Sequence, residues 1–234
     1  MKLDQEELQR KSEQLKEQKI KQIKDNIRTN CLILIEFPEE IENIIISYSF
    51  DESKIETNYS LRAKVNEYCM TENEYLISEL DVSCVTSMNY LFVISHDYVP
   101  NKFNQPLDKW DTSNVVDMRS MFYICTQFNQ AIDFNTKNVI DMSCMFCQCY
   151  NFNQAVNFDT RNVISMSGMF SNCSSFNQPV NFDTKNVLYM VYMFCKCQKF
   201  NQPVDFDTKN VINMEDMFYG CENLEEKNKK LVMH

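Results

Sequence analysis

Residues 128–151, FNQAIDFNTKNVIDMSCMFCQCYN, recur in near-copy at 152–175 (FNQAVNFDTRNVISMSGMFSNCSS), 176–199 (FNQPVNFDTKNVLYMVYMFCKCQK) and 200–223 (FNQPVDFDTKNVINMEDMFYGCEN). The copy ahead of them, 103–127 (FNQPLDKWDTSNVVDMRSMFYICTQ), is one residue longer. A fixed period in the twenties is the mark of a solenoid, in which each copy is one coil whose apolar side is covered by the next. One coil alone buries too little to offset the entropy of ordering it, so the coils must stand as a stack with capped ends.

Counting each copy from its Phe as position 1, positions 5 and 7 (Val156 and Phe158, Val180 and Phe182, Val204 and Phe206) alternate as one face of a short strand does. Positions 15, 18, 19 and 22 (Met142, Met145, Phe146 and Cys149 in the second copy) follow the i, i+3, i+4, i+7 stripe of a short helix. Asp117, Asp141, Ser165 and Asn213 stand at position 14 as N-cap types, with Tyr189 the exception. The coil therefore reads as strand, bend, one to two turns of helix, return. In-register Asn-Gln pairs (Asn129 and Gln130, Asn153 and Gln154, Asn177 and Gln178) and the row Asn114, Asn138, Asn162, Asn186, Asn210 mark the bends, where their amides can bond the backbone of the neighbouring coil. The repeats hold only Gly168 and Gly220, so sharp corners at positive φ are not expected.

These sentences, with W/F-D-T-x-N-V-x-x-M-x-x-M-F followed by F-N-Q-P, resemble the BspA-type leucine-rich repeat domain over roughly residues 80–223. That family is best known from surface lipoproteins and is common in large viral and protist genomes. The resemblance implies an LRR-like α/β solenoid used for adhesion and protein contact, with no catalytic residues to carry over. The domain reading is a charged helix at 1–30, a helical N-terminal cap at 31–80, the repeat solenoid at 81–223 and a polar C-terminal cap at 224–234. Within 81–102, Asp81, Val85, Met88, Leu91 and Phe92 form a worn copy of the repeat, and its lengthened return segment passes His96 and Pro100.

The chain has 234 residues and a net charge of −10. Eight Lys and Arg against six Asp and Glu in residues 1–30 leave +2 there and −12 in the rest, which argues against nucleic acid as a partner. No apolar run reaches the ~18 residues of a membrane span. The charged N-terminus lacks a hydrophobic signal core, so a cytoplasmic setting is expected, and an exported adhesin is the less favoured third reading. With eleven cysteines and no such core, reduced thiols are expected. Five of them (Cys125, Cys149, Cys173, Cys197 and Cys221) share position 22 on the inward stripe, where cysteine acts as a small hydrophobe. Cys144, Cys147 and Cys149 cluster, but the spacing along the stack does not bring four ligands to one point, so no metal or other cofactor is expected.

Nothing in the sequence reads as catalytic machinery, and a non-enzyme is expected. Candidate partner-binding residues fall in two groups. One is the pair of charged rows, Asp159, Asp183 and Asp207 at position 8 with Arg161, Lys185 and Lys209 at position 10. Their regular stripes would suit a protein of complementary charge. The other is Phe37, Pro38, Ile41 and Ile45 in FPEEIENIIISYSF, which resembles the opening of an F-box, a module that binds the adaptor subunit of cullin-type ubiquitin ligases. The same amphipathic pattern is also what a helical cap over the first coil requires. A non-catalytic protein-interaction module, with a ubiquitin-ligase substrate receptor as the alternative, is the functional expectation.

Overall fold

The computed structural model describes residues 61, 62, 64–66, 69, 77–93 and 100–231, and the domain readings at 1–30 and over 36–50, with the return segment at 94–99, lie outside them. Residues 61, 62, 64–66 and 69 are helical, with Leu61 and Val65 fully buried in the common core. A single 3₁₀ turn at Ile77–Glu79 leads into the worn copy.

From there the copies stack in parallel and in register. Position 14 runs as one ladder of bridges from Ser87 to Asp117, Asp141, Ser165, Tyr189 and Asn213. Parallel pairing of this kind sets neighbouring backbones ~4.8 Å apart. The Phe rings then have no choice but to stack. Phe103, Phe128, Phe152, Phe176 and Phe200 form one column with centroids 5.9–6.0 Å apart. Phe92, Phe122, Phe146, Phe170, Phe194 and Phe218 at position 19 form a second, spaced 5.1–5.6 Å. The Met pairs at positions 15 and 18 fill the space beside these columns, and Met142, Met145, Met166, Met169, Met190 and Met193 are wholly buried.

The helix expected over positions 15–22 is not formed. Its inward stripe exists, but the backbone carries it in consecutive turns. Amides at positions 18, 20 and 22 close i−3 turns, as Met145 to Met142, Cys147 to Cys144 and Cys149 to Phe146 do at 2.9–3.3 Å. Amides at positions 15, 17, 19 and 21 point along the stack instead: Met142, Cys144, Phe146 and Gln148 donate to the carbonyls of Ser165, Ser167, Met169 and Ser171 in the next coil at 2.8–3.0 Å. A two-turn helix would spend those donors on itself and leave the neighbouring carbonyls without partners, and so short a helix has little intrinsic stability to set against that loss.

Left-handed residues at positions 17 and 21 make the alternation possible. Ser120, Cys144, Gly168, Tyr192 and Asp216 occupy the first at φ 52–63°, with Tyr90 as their counterpart in the worn copy. Ile124, Gln148, Asn172, Lys196 and Gly220 occupy the second at φ 58–73°. Positive-φ corners are thus the construction principle of the coil, contrary to the sequence expectation. Nine of these residues are not glycine, and each such residue costs about 1–2 kcal/mol of local strain, which the bonds along the stack must offset.

The strand expected at positions 5–7 appears as β1, Val204–Phe206, which pairs in parallel with β2, Lys229–Leu231. In coils 128–151, 152–175 and 176–199 the same positions keep the buried–exposed–buried alternation (Ile132, Asp133, Phe134; Val156, Asn157, Phe158; Val180, Asn181, Phe182) without a strand ladder.

Candidate interaction surfaces

Most polar side chains of the repeat are committed to holding coil to coil. Each position-2 Asn accepts the amide of its successor, as Asn153 Oδ1 does from Asn177 N at 2.8 Å. The following Gln donates to the same Asn, Gln178 Nε2 reaching the Asn153 carbonyl at 3.1 Å. Asn138, Asn162, Asn186 and Asn210 donate through Nδ2 to the position-10 carbonyl of the preceding coil at 2.6–2.7 Å. Thr136, Thr160 and Thr184 donate in the opposite direction, to the position-8 carbonyl of the next coil at 3.0–3.1 Å.

The cysteine column takes part as well. Cys149, Cys173, Cys197 and Cys221 place Sγ 2.9–3.0 Å from the carbonyls of Phe122, Phe146, Phe170 and Phe194. Reading them as small hydrophobes missed this donor role, which neither alanine nor methionine could fill. Burial pushes the Cys125, Cys149, Cys173 and Cys197 thiols well above their ordinary range. Among the described cysteines no two are joined by a disulfide.

What stays exposed is chiefly charge. Asp159 and Arg161 form a two-point pair, Nε to Oδ1 at 3.0 Å and the terminal nitrogen to Oδ2 at 2.7 Å. That guanidinium holds the Asp159 carboxyl below the usual carboxylate range. Lys185 Nζ stands 3.9 Å from Asp183, and Asp207 accepts the Lys209 amide at 3.2 Å. Asp159 and Asp183 likewise accept the amides of Arg161 and Lys185 at 3.2–3.3 Å. Each carboxylate is therefore tied first to its own turn, and the cations project beyond it: the side chains of Arg161 and Lys185 are 71% exposed against 31% and 36% for Asp159 and Asp183. The surface reads as a basic ridge along a recessed acidic one. Phe37, Pro38, Ile41 and Ile45 lie outside the described residues.

Two features escaped the sequence reading. At position 14, Asp117 and the buried Asp141 are neighbours on the bridge ladder, with Arg119 Nη2 3.5 Å from Asp117 Oδ2. Burial raises the Asp117 carboxyl to about 6 against the attraction of Arg119, and Asp141 pushes it the same way. The other is the terminal face of coil 200–223, where Ile212 and Tyr219 are 65% and 62% exposed. Among the described residues no three His, Cys, Asp or Glu side chains converge as metal ligands would, and no helix is long and apolar enough to cross a membrane.

A family profile described as "Mycoplasma protein of unknown function, DUF285" matches residues 49–156 and again 132–231. The chain belongs to this DUF285 family. The two matches overlap by about one coil, as they should when a repeat can be aligned in more than one register. DUF285 is thus a repeat family, and its match begins just beyond Phe37, Pro38, Ile41 and Ile45. No curated protein and no solved structure matches the chain.

Proposed function

We propose that the chain is a non-catalytic protein-interaction module, a BspA-like leucine-rich repeat solenoid whose charged lateral face meets a protein of complementary pattern. The supporting observation is the division of labour among polar groups. Asn, Gln, Thr and Cys are spent on the stack, and the Arg161, Lys185 and Lys209 row is left projecting from a backbone fixed by the coils on either side. A row of charges carried on a backbone already ordered by the stack spares the partner complex the cost of ordering that backbone, which favours recognition. Photo-crosslinking from position 185 in cells, in wild-type and Arg161→Glu, Lys209→Glu backgrounds, tests this. One dominant adduct that disappears with charge reversal supports the reading; a diffuse adduct pattern unchanged by reversal overturns it.

A second reading is favoured by the placement of the F-box-like segment. Phe37, Pro38, Ile41 and Ile45 precede the family match, as an appended module would. In that reading they bind a cullin-ligase adaptor and the coils bind the target. Adaptor captured by the intact chain and lost in a folded Pro38→Ala, Ile41→Ala variant supports it, whereas no capture by either leaves the segment as a cap.

A further inference from the structure

Among the described residues, the last coil is covered over only part of its face. Leu224 is buried where the next Phe would stand, Glu225 N donates to Asn201 Oδ1 at 3.0 Å as a position-2 amide does, and β2 lies along β1. Beyond Phe206 the described chain supplies nothing for positions 13–21. Met214, Asp216, Phe218 and Gly220 are the position-15, 17, 19 and 21 residues, whose amides in every earlier coil donate to the next. Here, among the described residues, those four amides have no acceptor, while Met217, Tyr219 and Cys221 keep their i−3 bonds.

Side-chain exposure marks the same edge. Ile140, Ile164 and Leu188 are half-buried at position 13, but Ile212 is exposed; Cys147, Ser171 and Cys195 are buried at position 20, but Tyr219 is exposed. Met214 and Phe218, whose column-mates are wholly buried, are only partly covered. Around this apolar strip stand the exposed Glu215, Asp216 and Glu222.

We infer that residues 212–220 form a docking edge for an extended segment of a partner protein, one that offers carbonyls at alternate residues, bulky apolar side chains between them and flanking Lys or Arg. The carbonyl requirement follows from the row of four donors, the apolar one from the Met-x-x-Met-Phe pattern that covers every interior coil, and the basic one from the acidic rim. A second copy meeting the edge with its own is disfavoured by polarity, since the four donors of each would face one another. The inference rests on the interaction-module reading and assigns it a second contact surface.

The probe is the peptide KKSMSGMFSNSKK, which carries the sequence of residues 165–172 with serine for Cys173 between lysine pairs; a glutamate-flanked twin is the control. Against the full chain at low salt, the lysine peptide is expected to bind about tenfold tighter or more than its twin. A Glu215→Lys, Asp216→Lys variant with unchanged melting should lose about tenfold or more. Amide exchange at Met214, Asp216, Phe218 and Gly220 should slow on binding, while the position-8 and position-10 amides stay as they were. No saturable binding, binding that leaves those four amides unprotected, or self-association of the free chain through them would overturn the proposal. Should the peptide fail while crosslinks from position 185 persist, the edge assignment falls and the module reading stands.

Discussion

The amide of Gly168 donates to the carbonyl of Val191 at 2.7 Å, joining position 17 of one coil to position 16 of the next. In a helix over 166–173 the same amide would turn back to Ile164. This single choice, repeated at every odd position from 15 to 21, converts a stripe with helical spacing into a ladder of turns.

Glycine content at the left-handed columns should therefore tune stability. Lys196 is exposed at φ 58° in the column that Gly220 also occupies. Lys196→Gly is expected to stabilise by about 0.5–1 kcal/mol, the strain relieved less the entropy glycine loses. Gly168→Ala should cost about 1 kcal/mol or more, because φ is 63° and the new methyl would stand 3.1 Å from Cys144 Sγ. Urea denaturation of the two variants measures both signs.

The asparagine ladder carries a sharper penalty. Removing the Asn153 side chain strands the Asn177 amide and one bond of Gln178, so Asn153→Ala should lose about 1–3 kcal/mol. Asn153→Asp keeps the acceptor and should lose distinctly less. A difference in melting between the two identifies the acceptor oxygen, rather than packing, as the source.

Asp117 gives the stack a pH dependence. Its carboxyl is raised to about 6 in the folded chain, so between its unfolded value near 4 and that point the folded state holds a proton the unfolded state has released. Stability from this group is present below about pH 4 and is lost as pH rises to about 6. Asp117→Asn removes the cost while keeping an oxygen for the Arg119 amide, as Asn213 does for Glu215 at 2.9 Å. The variant should be more stable than wild type by about 1–3 kcal/mol at pH 7 and by little at pH 4.

Thiol reactivity should follow position. Cys84 is exposed, whereas Cys125, Cys149, Cys173 and Cys197 are buried with raised thiols. Brief alkylation of the native chain followed by mass mapping should label Cys84 and leave Cys125, Cys149, Cys173 and Cys197 unmodified until denaturant is added.

The period, the core and the ladder-forming amides were legible because each is a matter of residue type at a fixed position: Phe at 1 and 19, Met at 15 and 18, Asn at 2 and 11. The backbone of positions 15–22 was not, since a stripe of i, i+3, i+4, i+7 is satisfied both by a helix and by turns repeating every four residues. A signal was present in Gly168 and Gly220, the two glycines, which fall on the two left-handed columns. The open edge at 212–220 was illegible for another reason: its residues are ordinary repeat residues, and only the absence, among the described residues, of a neighbour over them makes them a surface. For the charged rows, sequence gave the residues but not the recession of Asp159 and Asp183 beneath their cations, which comes from the carboxylates bonding the amides two residues on.

The most direct test of the stacked-turn account is the scalar coupling carried through the hydrogen bond from the Gly168 amide nitrogen, measured on isotope-labelled protein. The account predicts a cross-peak to the carbonyl carbon of Val191, with matching peaks from Cys144 to Ser167 and from Phe170 to Met193. A coupling from Gly168 to the carbonyl of Ile164 would restore the helix and contradict it.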